Sequence, residues 1–320
     1  LTLDRRMLPD LPPATPRYPL AIVGAGALGL HFAARLAAVG PVALVARSEA
    51  RAAELRAGVP VGDAIFHADA FGPERLPAAE KLSADEVLKH MDYPSYFDLQ
   101  DRPLPDGRAP ILAALAADRL IEPVGGGYWN ISNLGAILLA KQLADFGRLQ
   151  RKAVRVVVYK GKGRVQTLRE QVGAKGYAAG FEGLIGFVNG LLPVNEVVGQ
   201  ALRKAVPVYP ELAIRELVAN ALIHQDFAIT GSGPMVEIFD DRMEITNPGL
   251  PLVDTDRMLD SPPRSRNEAL ASLMRRMGIC EERGSGVDKV VFQTEFYQLP
   301  APAFEVVGDS TRSTLFAPRS

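Results

Sequence analysis

A mixed α/β fold of the α+β kind, laid out as several units along one chain, is what the sequence predicts, and three observations predict it. A short apolar run, LAIV at 20–23, leads through a glycine-rich turn and a helical stretch to a second run, VALVA at 42–46. Between residues 109 and 142 a helical pattern enters two short β-like runs around a triple glycine and leaves in another helix. From Tyr209 onward, a stretch with helical period is followed by two strand-like runs and a second helical run.

Taken in order, residues 1–17 are proline-rich and read as a flexible tail. Residues 18–70 read as a βαβ unit. Leu20–Val23 is its first strand; Gly24 permits a tight turn, Gly26 lets backbone approach a pyrophosphate, and Gly29 allows close helix–strand packing. The helix that follows would aim its free amides at the phosphates. A second strand, Val42–Ala46, ends in Arg47 and Ser48, where an acidic residue would otherwise take a ribose 2′-hydroxyl, a pattern that favours NADP over NAD. The strand–helix alternation stops after Gly58, so the Rossmann-like unit is partial. IVGAGALG followed by a strand ending in arginine resembles the N-terminus of ketopantoate reductases over residues 18–58. The resemblance implies NADP on Gly24, Gly26, Gly29 and Arg47, but the catalytic lysine and glutamate of that family have no matching motif here.

Residues 59–81 mix Gly, Pro and charge without periodicity and read as a junction. SADEVLKHM then gives a serine N-cap at Ser83 with Glu86 three residues on, a capping box. The order helix, LIEPV, GGG, YWNIS, helix makes 82–145 a winged-helix-like region, used either for DNA or as a connector with Trp129 buried. Residues 146–206 follow as a basic strand and helical connector. Within it RLQRKAVRVVVYKGKGRVQTLRE carries eight Lys or Arg, which either track phosphates or guard an edge strand. Any DNA contact would run through 82–170.

The most informative stretch opens the last unit, 207–320. In YPELAIRELVANALIHQDF, Ile214, Leu217, Val218, Ala221 and Leu222 form one helical stripe, and Glu216, Asn220 and His224 recur every four residues on another. A carboxylate and a carboxamide one turn apart can act together on a magnesium nucleotide, with Asn220 ligating Mg²⁺ while Glu216 orients or deprotonates water near a phosphate. MVEIFDDRMEITNPGLP reads as two strands turning at Asp240–Asp241 and running into Asn247-Pro248-Gly249. Gly284, Ser285 and Gly286 precede another apolar helical run, a backbone suited to cradling a triphosphate.

These three blocks in this order resemble the GHKL ATP-binding fold of gyrase B, histidine kinases and MutL. More closely, ELVANALIHQDF, VEIFDDRMEITNPG and EERGSG resemble the C-terminal ATP-binding domain of bacterial RecG-like, schlafen/AlbA-associated transcriptional regulators, over about residues 82–320. The resemblance implies a two-layer sandwich, with Glu216 as the catalytic glutamate and Asn220 as the Mg²⁺ ligand. It further implies that Asn247 and Gly249 hold the adenine, that Gly284, Ser285 and Gly286 hold the phosphates, and that a lid lies between Leu250 and Ser272. Asn247 departs from the usual aspartate, and Leu250 from a further glycine. No schlafen/AlbA-type module precedes Ser83.

Composition sets limits. At 320 residues with 48% hydrophobic and 23% charged side chains, the chain is an ordinary globular protein of two or three domains. A net charge of −1 argues against a wholly basic nucleic-acid binder. Cys280 is the only cysteine, which excludes an intrachain disulfide and a thiolate zinc cluster, and the four histidines lack ligand spacing. No run reaches membrane-spanning length and the first residues lack a signal-peptide core, so the expected location is the cytoplasm. The chain begins with Leu1, from which a missing natural start is expected. No G-x-x-x-x-G-K-[ST] occurs, so a helicase motor is not expected. Three functions stand open on sequence: a GHKL-type ATP-binding regulator with weak ATP hydrolysis, an NADP-dependent oxidoreductase built on residues 18–70, and a DNA- or protein-binding module with a degenerate nucleotide pocket.

Overall fold

The computed structural model describes residues 20–23, 42–45, 59–61, 64–66, 77–198, 203–253, 265–280 and 286–318. The chain divides into two units, Leu1–Gly72 and Pro73–Ser320. In the first, β1 (Leu20–Val23) pairs in parallel with β2 (Val42–Val45), from Leu20 opposite Val42 to Val23 opposite Val45. β3 (Val59–Val61) and β4 (Ala64–Phe66) form a short antiparallel pair.

In the second unit the expected junction is partly sheet. β5 (Pro77–Leu82) pairs with β7 through an irregular register, which hides its period from the sequence. Helix α1 (Ala84–His90) starts at the capping box: Ser83 Oγ accepts from the Glu86 amide at 3.3 Å, and the Glu86 carboxylate accepts from the Ser83 amide at 2.7 Å. α2 (Tyr93–Asp98) and α3 (Arg108–Ala117) follow, then the hairpin β6 (Ile121–Gly125) and β7 (Tyr128–Ser132). Gly125, Gly126 and Gly127 all have positive φ, the backbone state that makes three glycines the natural turn here. Ser132 caps α4 (Asn133–Leu139) by accepting from the Gly135 amide. Val87, Phe97, Leu115, Ile131 and Leu138 bury completely among these elements, whereas Trp129 is half-buried.

The rest of the unit is built on β8 (Arg155–Tyr159), β9 (Thr167–Val172), α5 (Tyr177–Asn189), the hairpin β10 (Val194–Val198) with β11 (Arg203–Pro207), and α6 (Glu211–His224). Then come β12 (Met235–Ile238), β13 (Arg242–Pro248), α7 (Glu268–Arg276), α8 (Gly286–Phe296), β14 (Ala303–Val307) and β15 (Ser310–Phe316). Six strands form one sheet in the order β14-β15-β13-β12-β8-β9, antiparallel except for β12 beside β8. α6 packs on β13 and α8 on α6. The stripe read from sequence is the buried one: Ile214, Leu217, Val218, Ala221 and Leu222 share a core with Val236, Ile238, Met243 and Ile245.

Strand alternation sends Glu237 and Glu244, directly opposite each other, to the other face of the sheet. Both are buried, a costly pairing of like charges that Arg164 offsets by donating to Glu237 at 2.6 and 2.9 Å and to Glu244, with Arg242 donating to Glu244 at 2.6 Å. Part of the basic run thus serves the fold. Arg155 pairs with Glu170, Lys162 with Asp241, Arg169 lies over Phe187, and Lys152 is buried. β9 is a sheet edge with all six residues exposed.

Candidate nucleotide-binding site

α6 follows Pro210, whose fixed φ suits the residue before a helix, and its apolar stripe fixes how it lies on the sheet. That rotation turns Glu216 and Asn220 toward the start of α8. A methyl group on Gly286 would lie 2.8 Å from Glu216 Oε2, 3.3 Å from Asn220 Nδ2 and 3.8 Å from Asn220 Oδ1, so only glycine leaves this approach open. Glu216 is buried and Asn220 half-buried. Residues read as a separate polar stripe therefore face the start of the second helix at close range, and the first turn of α8 has amides that no intrahelical carbonyl satisfies.

The end of β13 supplies a second group. Asn247 is buried, its Nδ2 donating to the Pro248 carbonyl at 3.3 Å. Gly249 follows with φ +113°, and a methyl group on it would meet Asp226 Cβ at 2.9 Å and the Asp226 nitrogen at 3.0 Å. Three hydrogen bonds hold this turn: Asp226 N to Pro248 O at 2.7 Å, Gly249 N to Asp309 O at 2.8 Å, and Thr311 Oγ1 to Gly249 O at 2.7 Å. Gly284 and Ser285 lie outside the described residues, as do Gly24, Gly26, Gly29 and Arg47. Of the interval Leu250–Ser272, residues 254–264 also lie outside them, and Glu268–Ser272 form the start of α7, with Leu270 and Ala271 in the core.

Between the two groups runs the segment after α6, whose anchors leave no local signature in the sequence. Arg266 donates Nε to the His224 carbonyl at 3.2 Å and Nη2 to the Leu250 carbonyl at 2.6 Å, while its Nη1 stands 3.5 Å from Asp226 Oδ2. The buried Asn267 donates Nδ2 to the carbonyls of Ile223 and Gln225 at 2.6 and 2.9 Å. Lys152 Nζ donates to the carbonyls of Ile229 at 2.7 Å and Asp226 at 3.3 Å. Desolvation pushes Lys152 down to about 8, against the pull of Asp226. His224 is pushed down to about 4, by desolvation first and by the Arg266 guanidinium second, so its imidazole is neutral at pH 7.

The residues present suit a magnesium nucleotide. Mg²⁺ takes oxygen ligands and usually keeps water and substrate phosphates among them, so one carboxamide or carboxylate from the protein suffices. No cluster of three or more His, Cys, Asp or Glu able to hold a metal occurs among the described residues.

α6 packs on the sheet and α8 on α6, with a glutamate and an asparagine of α6 facing a glycine at the start of α8. Residues 231–315, which begin after α6, match the family model described as "Putative ATP-dependent DNA helicase recG C-terminal", so this stretch is a RecG C-terminal-like domain of the GHKL ATP-binding type. Among solved structures the chain is similar to the DIP2311 protein from Corynebacterium diphtheriae, with 24% identity and a TM-score of 0.57 over 76% of this chain, a likeness of fold. The chain spans about half of that protein, 48% of its length. No curated protein matches the chain.

Proposed function

We propose that this protein binds Mg-ATP between α6 and α8 and acts as a nucleotide-dependent regulator, with at most slow hydrolysis. The observation that carries this reading is the approach of Gly286 to Glu216 and Asn220, which joins two sequence blocks about 70 residues apart. In this reading Asn220 ligates Mg²⁺, the amides of Gly284, Ser285 and Gly286 take the phosphates, and Asn247 with Gly249 takes the adenine. Bound Mg²⁺ would neutralise phosphate charge; Glu216, buried beside it, would hold a water and accept its proton.

The helicase in the family description is not carried over, because the chain has no phosphate-binding motor motif. For a DNA contact through the helices and hairpin that open the 82–170 region the charges are unfavourable. Within its helical part, residues 82–141, eight acidic side chains stand against five basic ones, and the sole basic residue of α3, Arg108, is paired with Asp85 at 2.5 Å. We therefore assign the regulatory output to protein contacts of this helical unit. The NADP reading is supported by the parallel β1–β2 pair alone.

Thermal unfolding of the full chain decides between the nucleotides. A ligand at a hundred times its Kd stabilises by about 2.7 kcal/mol, which for a unit of this size raises Tm by about 5–10 °C. Mg-ATP is expected to give that shift, NADPH less than about 2 °C. In Gly286→Ala the new methyl pushes the Glu216 carboxylate aside while helix propensity improves, so the variant folds and loses the ATP shift. An unchanged ATP shift in Gly286→Ala, or an NADPH shift with none for ATP, overturns the proposal.

A further inference from the structure

The last turn of an α-helix leaves carbonyls without intrahelical partners, and a glycine cap or water commonly takes them. α6 ends otherwise. Its carbonyls at Ile223 and His224, and that of the following Gln225, accept from Asn267 and Arg266, side chains some 40 residues further along the chain. Asn267 stays with α6. Arg266 does more, because a guanidinium projects donors along several fixed directions in one plane. One of its donors holds the end of α6, one holds the Leu250 carbonyl just beyond Gly249, and the third faces the Asp226 carboxylate. Asp226 is itself the residue whose backbone and Cβ touch Gly249.

The helix bearing Glu216 and Asn220 and the turn bearing Asn247 and Gly249 are thus tied together by one planar group. Resting on the Mg-ATP reading above, we infer that Arg266 is a positioning residue that fixes the separation between the phosphate half of the site, on α6, and the base half, after β13. It touches neither half of the ligand. It acts through the His224 and Leu250 carbonyls and through Asp226, and its effect falls on ligands that span both halves. A ligand that occupies the phosphate half alone does not sense it.

The test compares Mg-ATP with Mg-tripolyphosphate by titration calorimetry on the full chain. Arg266→Lys keeps a cation beside Asp226 but cannot reach both carbonyls with a rigid fork, and Arg266→Ala removes all three ties. In Arg266→Lys the affinity for Mg-ATP is expected to fall about tenfold, the size of one lost charge-assisted hydrogen bond, with Mg-tripolyphosphate affinity within about twofold of wild type. Arg266→Ala should lose more for Mg-ATP with the same split; if it does not fold, the lysine variant decides. Mg-ATP affinity unchanged in Arg266→Lys, or a parallel loss for both ligands, overturns the positioning role while leaving the nucleotide site in place. A wild-type protein that binds neither ligand overturns the nucleotide reading, and this inference falls with it.

Discussion

Asn220 and His224 lie one turn apart on α6 and meet different surroundings. Asn220 faces Gly286 at the start of α8. If it ligates Mg²⁺, Asn220→Ala should weaken ATP binding about tenfold in magnesium and far less in EDTA; equal losses in the two buffers would remove it from the metal. His224, by contrast, is desolvated and faces the Arg266 guanidinium. Its pKa in the folded protein, about 4, is below the unfolded value near 6.5, so between these values the unfolded chain binds the extra proton. Its contribution to stability is full above pH 6.5 and is lost as pH falls toward 4. The Tm of His224→Gln should accordingly decline less steeply than wild type between pH 6.5 and 4, and identical slopes would show that another group sets the acid response.

At the scale of elements, α7 joins the sandwich to the helical unit before it. Arg276 near its end donates to both oxygens of Asp118, just past α3, and to Gln100 at 2.8 Å, while Tyr96 also donates to Asp118 at 2.6 Å. Burial opposes ionisation of Asp118, but the hydrogen bonds from Arg276 and Tyr96 outweigh it and hold its carboxyl below the ordinary range. Arg276→Ala should speed hydrogen exchange of α3 amides by about 3–10-fold and leave α6 amides unchanged; equal acceleration in both helices would mean that α7 is not a local latch.

The same elements show what the sequence could disclose. α6, β12, β13 and the helical run after Gly286 are legible because their side chains repeat at 3.6 or 2 along a continuous core face. Glu216 and Asn220 are legible as one face of a helix, and Asn247 with Gly249 as the turn that ends a strand. Arg266, Asn267 and Lys152 are not, because each serves a backbone carbonyl more than 40 residues away in sequence, and no local pattern records such a bond. β5 escapes because its pairing with β7 shifts register twice. The basic run through β8 and β9 has the pattern of a surface feature, yet Arg164 within it serves two buried glutamates.

For the molecule as a whole, the parallel seam between β8 and β12 governs how the sheet can come into being. Val156 opposes Val236, and the Arg164 to Glu244 bond across the same region closes a loop of 80 residues. Everything between, including α5 and α6, must be threaded before the seam closes, and chain segments so far apart meet slowly. Gly286 reaches Glu216 across about 70 residues, a separation close to that of the seam, so α6 and α8 also meet slowly. The proposed nucleotide site, if assembled this late, would be absent from the barrier to folding. In stopped-flow mixing with denaturant, Mg-ATP at a hundred times its Kd should therefore slow unfolding by about 100-fold and leave the refolding rate unchanged. Refolding accelerated by the nucleotide would instead place α6 and α8 side by side before the seam has closed.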